Sequence, residues 1–80
     1  MDPLLGDIEL LPYGYAPSYW MVCNGATLSI SGNQALFSLI GTTFGGNGTT
    51  TFQLPNIPED KCPAGMRYYI AVQGIYPSRN

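Results

Sequence analysis

The stretch that decides the fold is SGNQALFSLIGTTFGG, residues 31–46, because it combines a helix start, an apolar helical face and a terminating glycine. Ser31 and Gln34 have the Ser-x-x-Gln spacing of a capping box, in which both side chains satisfy free N–H groups at a helix start. Leu36 and Ile40 lie four residues apart and share one helical face. Gly41 follows where a C-terminal cap is favoured. The pattern predicts one helix over residues 32–40.

Short strands are predicted on both sides of this helix from alternating polarity and from β-branched and aromatic residues. The predicted strands cover residues 7–11, 19–23, 27–30, 52–55 and 68–73. GGNG at residues 45–48 is typical of a turn, and Phe52 and Leu54 fall on one side of their strand. Together these elements predict a single α+β domain over residues 1–80, made of short β-strands and one capped α-helix. The predicted core packs Leu36, Leu39 and Ile40 of the helix against Ile8, Leu10, Trp20, Val22 and Ile70 of the strands.

The composition excludes several classes of function. The 80 residues include three basic residues, five acidic residues and no histidine, and the net charge is −2. Three basic residues are too few for a nucleic-acid-binding surface, and the absence of histidine removes the commonest general base and metal ligand. No apolar run approaches the roughly 20 residues that span a bilayer. We therefore expect no metal, no cofactor, no nucleic-acid partner, no membrane span and no enzymatic activity.

A chain this small and this neutral needs stabilisation beyond its own core. Self-association is one source, and a disulfide between Cys23 and Cys62, the two cysteines of the sequence, is another. In the chain-entropy account, a bridge closing about 40 residues contributes roughly 3–4 kcal/mol. Two free thiols, with Cys23 in the core, or a bridge between chains are the alternatives.

Several motifs resemble the phage tail collar domain family, which includes relatives named microcystin-dependent proteins. The matching segments are GDI at residues 6–8, AP at 16–17, Trp20, CNG at 23–25, LSI at 28–30, NQALFSLIGTTFGG at 33–46 and TFQLPN at 51–56. Residues 69–80 resemble the usual C-terminus of that family. Family members usually carry a basic segment and a long glycine-rich insert where residues 57–63 of this chain lead straight to the last strand. The resemblance implies a minimal collar module and, in tailed phages, a trimeric fibre element.

The resemblance and the neutral composition predict a self-assembling structural subunit of an extracellular phage-tail-like fibre or filament. The predicted partners are copies of the chain, in a closed trimer or a head-to-tail filament. We expect them to join through the terminal segments, residues 1–6 and 75–80, of which the second could add a strand to a neighbouring sheet edge. The predicted interface residues are Leu4, Leu5, Ile75, Tyr76, Pro77, Arg79 and Asn80.

Three tyrosines support an alternative function, a receptor- or glycan-binding adhesin module of a tail fibre. Tyr13, Tyr15 and Tyr19 lie in or beside a loop flanked by prolines, where aromatic rings can contact a receptor.

The N-terminus is acidic and interrupted by Pro3 and Gly6, unlike a secretory signal. We therefore expect an extracellular or virion-associated protein that is exported without a cleavable signal peptide.

Overall fold

A computed structural model of the chain describes residues 2–12, 14 and 17–77. These described residues form five short strands, one α-helix and one 3-10 helix, which confirms the predicted α+β class. In chain order the elements are β1 (Ile8–Pro12), β2 (Trp20–Val22), β3 (Thr27–Ser29), α1 (Gln34–Ile40), β4 (Thr51–Gln53), the 3-10 helix Glu59–Lys61 and β5 (Met66–Ala71).

The strands form two antiparallel sheets. The larger sheet has the order β1-β5-β2, with Glu9 opposite Tyr69 and Met21 opposite Ile70. Its centre is β5, the longest strand, whose aromatic and β-branched residues suit a strand with neighbours on both sides. The smaller sheet pairs β3 with β4, placing Leu28 opposite Phe52.

The core lies where α1, the smaller sheet and the C-terminal half of β5 meet. Its largest fully buried side chains are those of Phe52, Leu36, Leu54, Ile70 and Cys23. The rings of Phe37 and Phe52 pack edge to face, with centroids 5.4 Å apart. The burial of both Phe52 and Leu54 confirms that these alternate residues share one face.

The predicted contribution of β1 and β2 to this core is wrong. Ile8 is 40% exposed, although Ile70, its partner across the sheet, is buried. Leu10, Trp20 and Val22 are only half-buried and lie outside the central cluster. The reason is position: β1 and β2 are the edges of the larger sheet, while Ile70 of its central strand belongs to one buried cluster with Leu36 of the helix and Phe52 of the smaller sheet.

The predicted capping box is also wrong. The helix begins at Gln34, and the side chain of its N-cap residue, Asn33, makes no capping hydrogen bond. The Asn33 side-chain amide instead donates to the Ser29 carbonyl at 3.0 Å, and the Asn33 N–H donates to the Ile30 carbonyl at 3.0 Å. Residues 31–32 are therefore part of a turn between β3 and the helix, because the chain folds back on β3 before the helix starts.

The end of the helix and the following turn agree with the sequence. The Gly41 N–H donates to the Phe37 carbonyl at 2.7 Å, and Gly41 has a φ of 55°. In the predicted turn the Asn47 side-chain oxygen accepts the N–H groups of residues 49, 50 and 51 at 2.8, 2.8 and 3.1 Å. One side chain therefore organises the whole turn before β4, as Asn does in Asx-type turns.

Candidate subunit interface

The two terminal segments of the chain pair with each other. Leu4 and Ile75 form a parallel bridge, in which the Leu5 N–H donates to the Ile75 carbonyl and the Ile75 N–H donates to the Pro3 carbonyl, both at 2.8 Å. Gly74 has a φ of 141°, and a β-carbon at this position would collide with the Pro3 carbonyl oxygen. The close approach of the two segments therefore depends on a glycine at position 74.

Several large apolar side chains on the paired segments and on the adjoining helix are exposed. Leu4 and Ile75 are each 54% exposed and Tyr76 is 51% exposed. The Tyr76 hydroxyl lies 2.7 Å from the Ser38 hydroxyl, so the C-terminal segment is held against the helix. Leu39, one residue further along that helix, is 38% exposed. We call Leu4, Leu39, Ile75 and Tyr76 the terminal patch.

The exposure of Leu39 corrects its predicted place in the core. Its Cδ1 atom lies 3.6 Å from where a β-carbon of Gly6 would be, so it packs over the N-terminal segment. The apolar residues Leu36, Phe37, Leu39 and Ile40 cover more of the circumference of a seven-residue helix than one buried face requires. Leu36 is central on that arc and is buried, whereas Leu39 lies at its margin.

The terminal patch carries no charged side chain, but two carboxylates follow it in the chain. Asp7 and Glu9 are both exposed at the start of β1. Their side-chain hydrogen bond, with desolvation and the repulsion between the carboxylates as further causes, raises the pKa of Glu9 above its usual value. The apolar patch is therefore bordered along the chain by negative charge.

The remaining predicted interface residues do not share one environment. Leu5 is 5% exposed and belongs to the core, so its side chain is not part of the surface that another subunit could contact. Pro77 is half-buried. Arg79 and Asn80 lie outside the described residues. The Ile75 backbone pairs with the N-terminal segment of its own chain, not with a free sheet edge.

One of the three tyrosines considered for receptor contact can be located. Tyr19 is 42% exposed and has a φ of 80°, the one positive φ at a non-glycine residue in the part of the chain described. Its carbonyl accepts the Val72 N–H at 2.7 Å, which holds this unfavourable backbone in place. Tyr13 and Tyr15 lie outside the described residues.

The two cysteines are free thiols in this structure. Cys23 is fully buried, whereas Cys62 is half-buried and donates its thiol hydrogen to the Pro58 carbonyl at 3.5 Å. Burial raises the pKa of the Cys23 thiol to about 11; the cation of Arg67 lowers it and Cys62 raises it, both with smaller effect. The effect of Arg67 on Cys23 could not be predicted from the sequence, in which the two residues are far apart.

Residues 2–12, 14 and 17–77 enclose no ligand-sized cavity. The same residues contain no group of three or more His, Cys, Asp or Glu side chains arranged to hold a metal ion. No helix among them is long and apolar enough to cross a membrane.

Comparison with known families identifies the domain. A family model described as Phage Tail Collar Domain matches residues 6–60, more than half of the chain. The chain belongs to the phage tail collar domain family. The collar domain is a structural domain of phage tail fibres, which gives this chain a structural role in a phage tail and a virion-associated setting. The same membership implies an oligomeric structural assembly. A comparison of the chain with curated proteins finds no match.

Three of the four residues of the terminal patch, Leu4, Ile75 and Tyr76, lie outside the range that the family model matches. The family match covers the helix but ends at residue 60, before β5 and the C-terminal segment, and it begins at residue 6, after Leu4. Sequence reasoning selected Leu4, Ile75 and Tyr76 but missed Ser38 and misplaced Leu39. A seven-residue helix with apolar residues around much of its circumference was the available signal for Leu39, whereas nothing in the sequence indicates the contact between Ser38 and Tyr76.

Proposed function

We propose that this collar domain is a self-assembling structural subunit of an extracellular phage-tail-like fibre or filament, joined to its copies through the terminal segments. The observation that carries the proposal is the terminal patch. Its four side chains are large, apolar and substantially exposed, and both ends of the described chain contribute to it. Apolar surface of this kind is costly to leave in water and marks sites of protein association.

The pairing of the terminal segments supports this proposal because it makes the patch ordered before any partner binds. Two backbone hydrogen bonds and the contact between Tyr76 and Ser38 hold the segments in one arrangement. A pre-organised surface loses less conformational entropy on binding than a flexible tail would. Copies that meet through such a surface form a closed trimer if the rotation between them closes, and an open filament if it does not.

The proposal is tested by placing a charge in the patch. In Ile75→Asp the side chain changes but the backbone bridge to Leu4 can remain. We expect the wild-type protein to give assemblies in light scattering and negative-stain electron microscopy, and the variant to remain monomeric at tens of micromolar. The matched control is Phe44→Asp, which introduces the same charge at a side chain that is 44% exposed and outside the patch.

Circular dichroism of both variants establishes that they are folded. Loss of assembly in Ile75→Asp alone supports the proposal. A wild-type protein that is monomeric under these conditions contradicts it, and so does a Phe44→Asp variant that loses assembly to the same extent as Ile75→Asp.

The backbone of Tyr19 favours an adhesin module as the second candidate function. A bulky residue with a positive φ carries a conformational cost of about 1–3 kcal/mol, and such residues cluster at functional sites. Here the strained backbone presents an exposed aromatic ring at the start of β2. An exposed ring of this kind can stack on a sugar or insert into a receptor surface.

Tyr19→Gly separates a functional role of this ring from a structural one. Glycine relieves the backbone strain and removes the ring, so we expect the stability of the variant to be equal to or greater than that of the wild type. On a glycan array, binding by the wild type that is absent from the variant would support the adhesin function. Binding that survives the substitution, or its absence in the wild type, contradicts a role for Tyr19 in glycan recognition.

A further inference from the structure

The loop that carries Cys62 is attached at both ends to the backbone of Cys23. The Ile57 N–H, at the entrance of the loop, donates to the Cys23 carbonyl at 2.9 Å. The Cys23 N–H donates to the Tyr68 carbonyl, beyond the exit of the loop, also at 2.9 Å. Residues 58–65, which we call the cysteine loop, therefore leave and re-enter the core beside Cys23.

The Cys62 thiol is oriented toward the entrance of this loop. It bonds the carbonyl of Pro58, and Pro58 directly follows Ile57, the residue that is hydrogen-bonded to Cys23. Cys62 also acts on the Cys23 thiol, because it raises the pKa of that thiol, with less effect than burial and the Arg67 cation. The fold thus returns the loop of Cys62, 39 positions further along the sequence, to the backbone of Cys23.

The cysteine loop is held mainly by local contacts. Its described backbone hydrogen bonds join residues three apart, namely Lys61 to Pro58, Cys62 to Glu59 and Met66 to Pro63, at 2.9–3.0 Å. Bonds of this range stabilise turns but do not attach a loop to a core. A covalent link from Cys62 to Cys23 would supply that attachment.

From this arrangement we propose that Cys23 and Cys62 form an intramolecular, oxidation-dependent disulfide that fastens the cysteine loop to the core. The oxidant is a small-molecule disulfide such as oxidised glutathione. The Cys62 thiolate, on the more accessible sulfur, attacks one sulfur of the reagent and releases one glutathione thiolate. The Cys23 thiolate then attacks the Cys62 sulfur and releases the second, so that the protein loses two electrons and two protons and the reagent becomes two thiols.

The order of attack follows from exposure and acidity. Cys23 is fully buried and its pKa of about 11 leaves very little thiolate at neutral pH, so it reacts only after Cys62 has been activated. We expect closure of the bridge to be slow at pH 7 and to accelerate roughly tenfold per pH unit up to pH 9, following the fraction of Cys23 thiolate. This inference does not depend on the proposed assembly through the terminal patch.

The test uses the full chain, incubated folded with excess oxidised glutathione and then alkylated. Mass spectrometry should show the loss of two hydrogen atoms from the monomer, and peptide mapping should join Cys23 to Cys62. The thermal unfolding midpoint of the oxidised protein should rise by about 15 °C relative to the reduced protein. The Cys62→Ser variant, which keeps the buried cysteine and the fold, should show neither change.

Three results would overturn the proposal: a glutathione adduct that persists on Cys62 while Cys23 stays reduced, a covalent dimer, or a bridge that forms without raising the midpoint. The last result would mean that strain in the native fold cancels the stabilisation that the bridge supplies. Because all of these measurements are made on the monomer and its stability, they succeed or fail independently of the assembly experiment.

Discussion

Replacing Gly74 by alanine tests whether the terminal segments are held together as described. The Gly74 backbone has a φ of 141°, and the new β-carbon would collide with the Pro3 carbonyl oxygen. The matched control is Gly65→Ala. Gly65 has a φ of 77°, but a β-carbon there meets no atom within 4 Å. Both variants place alanine in an unfavourable backbone conformation. Only in Gly74→Ala does the new β-carbon also collide with another atom.

The magnitudes follow from what each substitution disrupts. A positive φ costs an alanine about 1–2 kcal/mol, which is the whole expected effect of Gly65→Ala. At Gly74 the backbone conformation costs about 1–3 kcal/mol. The collision also forces Gly74 away from Pro3, breaking the two hydrogen bonds of the Leu4–Ile75 bridge, at about 1 kcal/mol each. We therefore expect Gly74→Ala to be about 2 kcal/mol less stable than Gly65→Ala.

Urea denaturation of the two variants and the wild type measures these differences directly. A difference of about 2 kcal/mol also lowers the thermal midpoint of an 80-residue domain by about 8–16 °C. Hydrogen exchange should become faster at the Leu5 and Ile75 amides in Gly74→Ala, and remain at the wild-type rate in Gly65→Ala. Equal losses of stability in the two variants, with unchanged exchange at both amides, would refute the terminal pairing.

Three further predictions concern the turn, the core and the acidic pair. Asn47→Ala should cost about 1–3 kcal/mol in urea denaturation, because three backbone N–H groups lose their shared acceptor, whereas Asn47→Asp keeps an acceptor and should retain most of that stability. Leu36→Ala should cost about 2–5 kcal/mol, since this side chain is fully buried, and Leu39→Ala less than 1 kcal/mol; similar losses would contradict the placement of these residues. Asp7→Asn should lower the pKa of Glu9 toward its usual value in an NMR titration. Since that pKa is raised in the folded state, wild-type stability should decline as the pH rises through it, and the decline should be smaller in the variant.

The sequence predicted the local elements well wherever a single segment decides them. The apolar spacing around Leu36 produced a helix, Gly41 ended it, and the alternation of Phe52 and Leu54 correctly identified one buried face. The capping box failed because Asn33 bonds to the Ser29 carbonyl, a contact that depends on how the chain leaves β3. Local patterns do not contain that information.

The remaining differences between the predicted and the observed core arise from where each side chain lies on its strand or helix face. Ile8 has the alternation of a half-buried strand, yet it lies on an edge strand of the larger sheet and is 40% exposed. Leu39 has the spacing of a core residue, yet it lies at the margin of the helical face. Alternation and helical spacing predict which side chains point the same way, but they do not predict how far the opposite layer extends.

By itself, the sequence determined the α+β class, the family and the near-neutral composition, because these depend on residue types and on short-range spacing. Only the tertiary structure decided that the terminal segments pair with each other and that Tyr76 is held against the helix by Ser38. It alone brought the loop of Cys62 back to Cys23. Each of these contacts joins residues at least 34 positions apart, the separation of Cys23 and Ile57, and contacts at that range depend on the path of the whole chain.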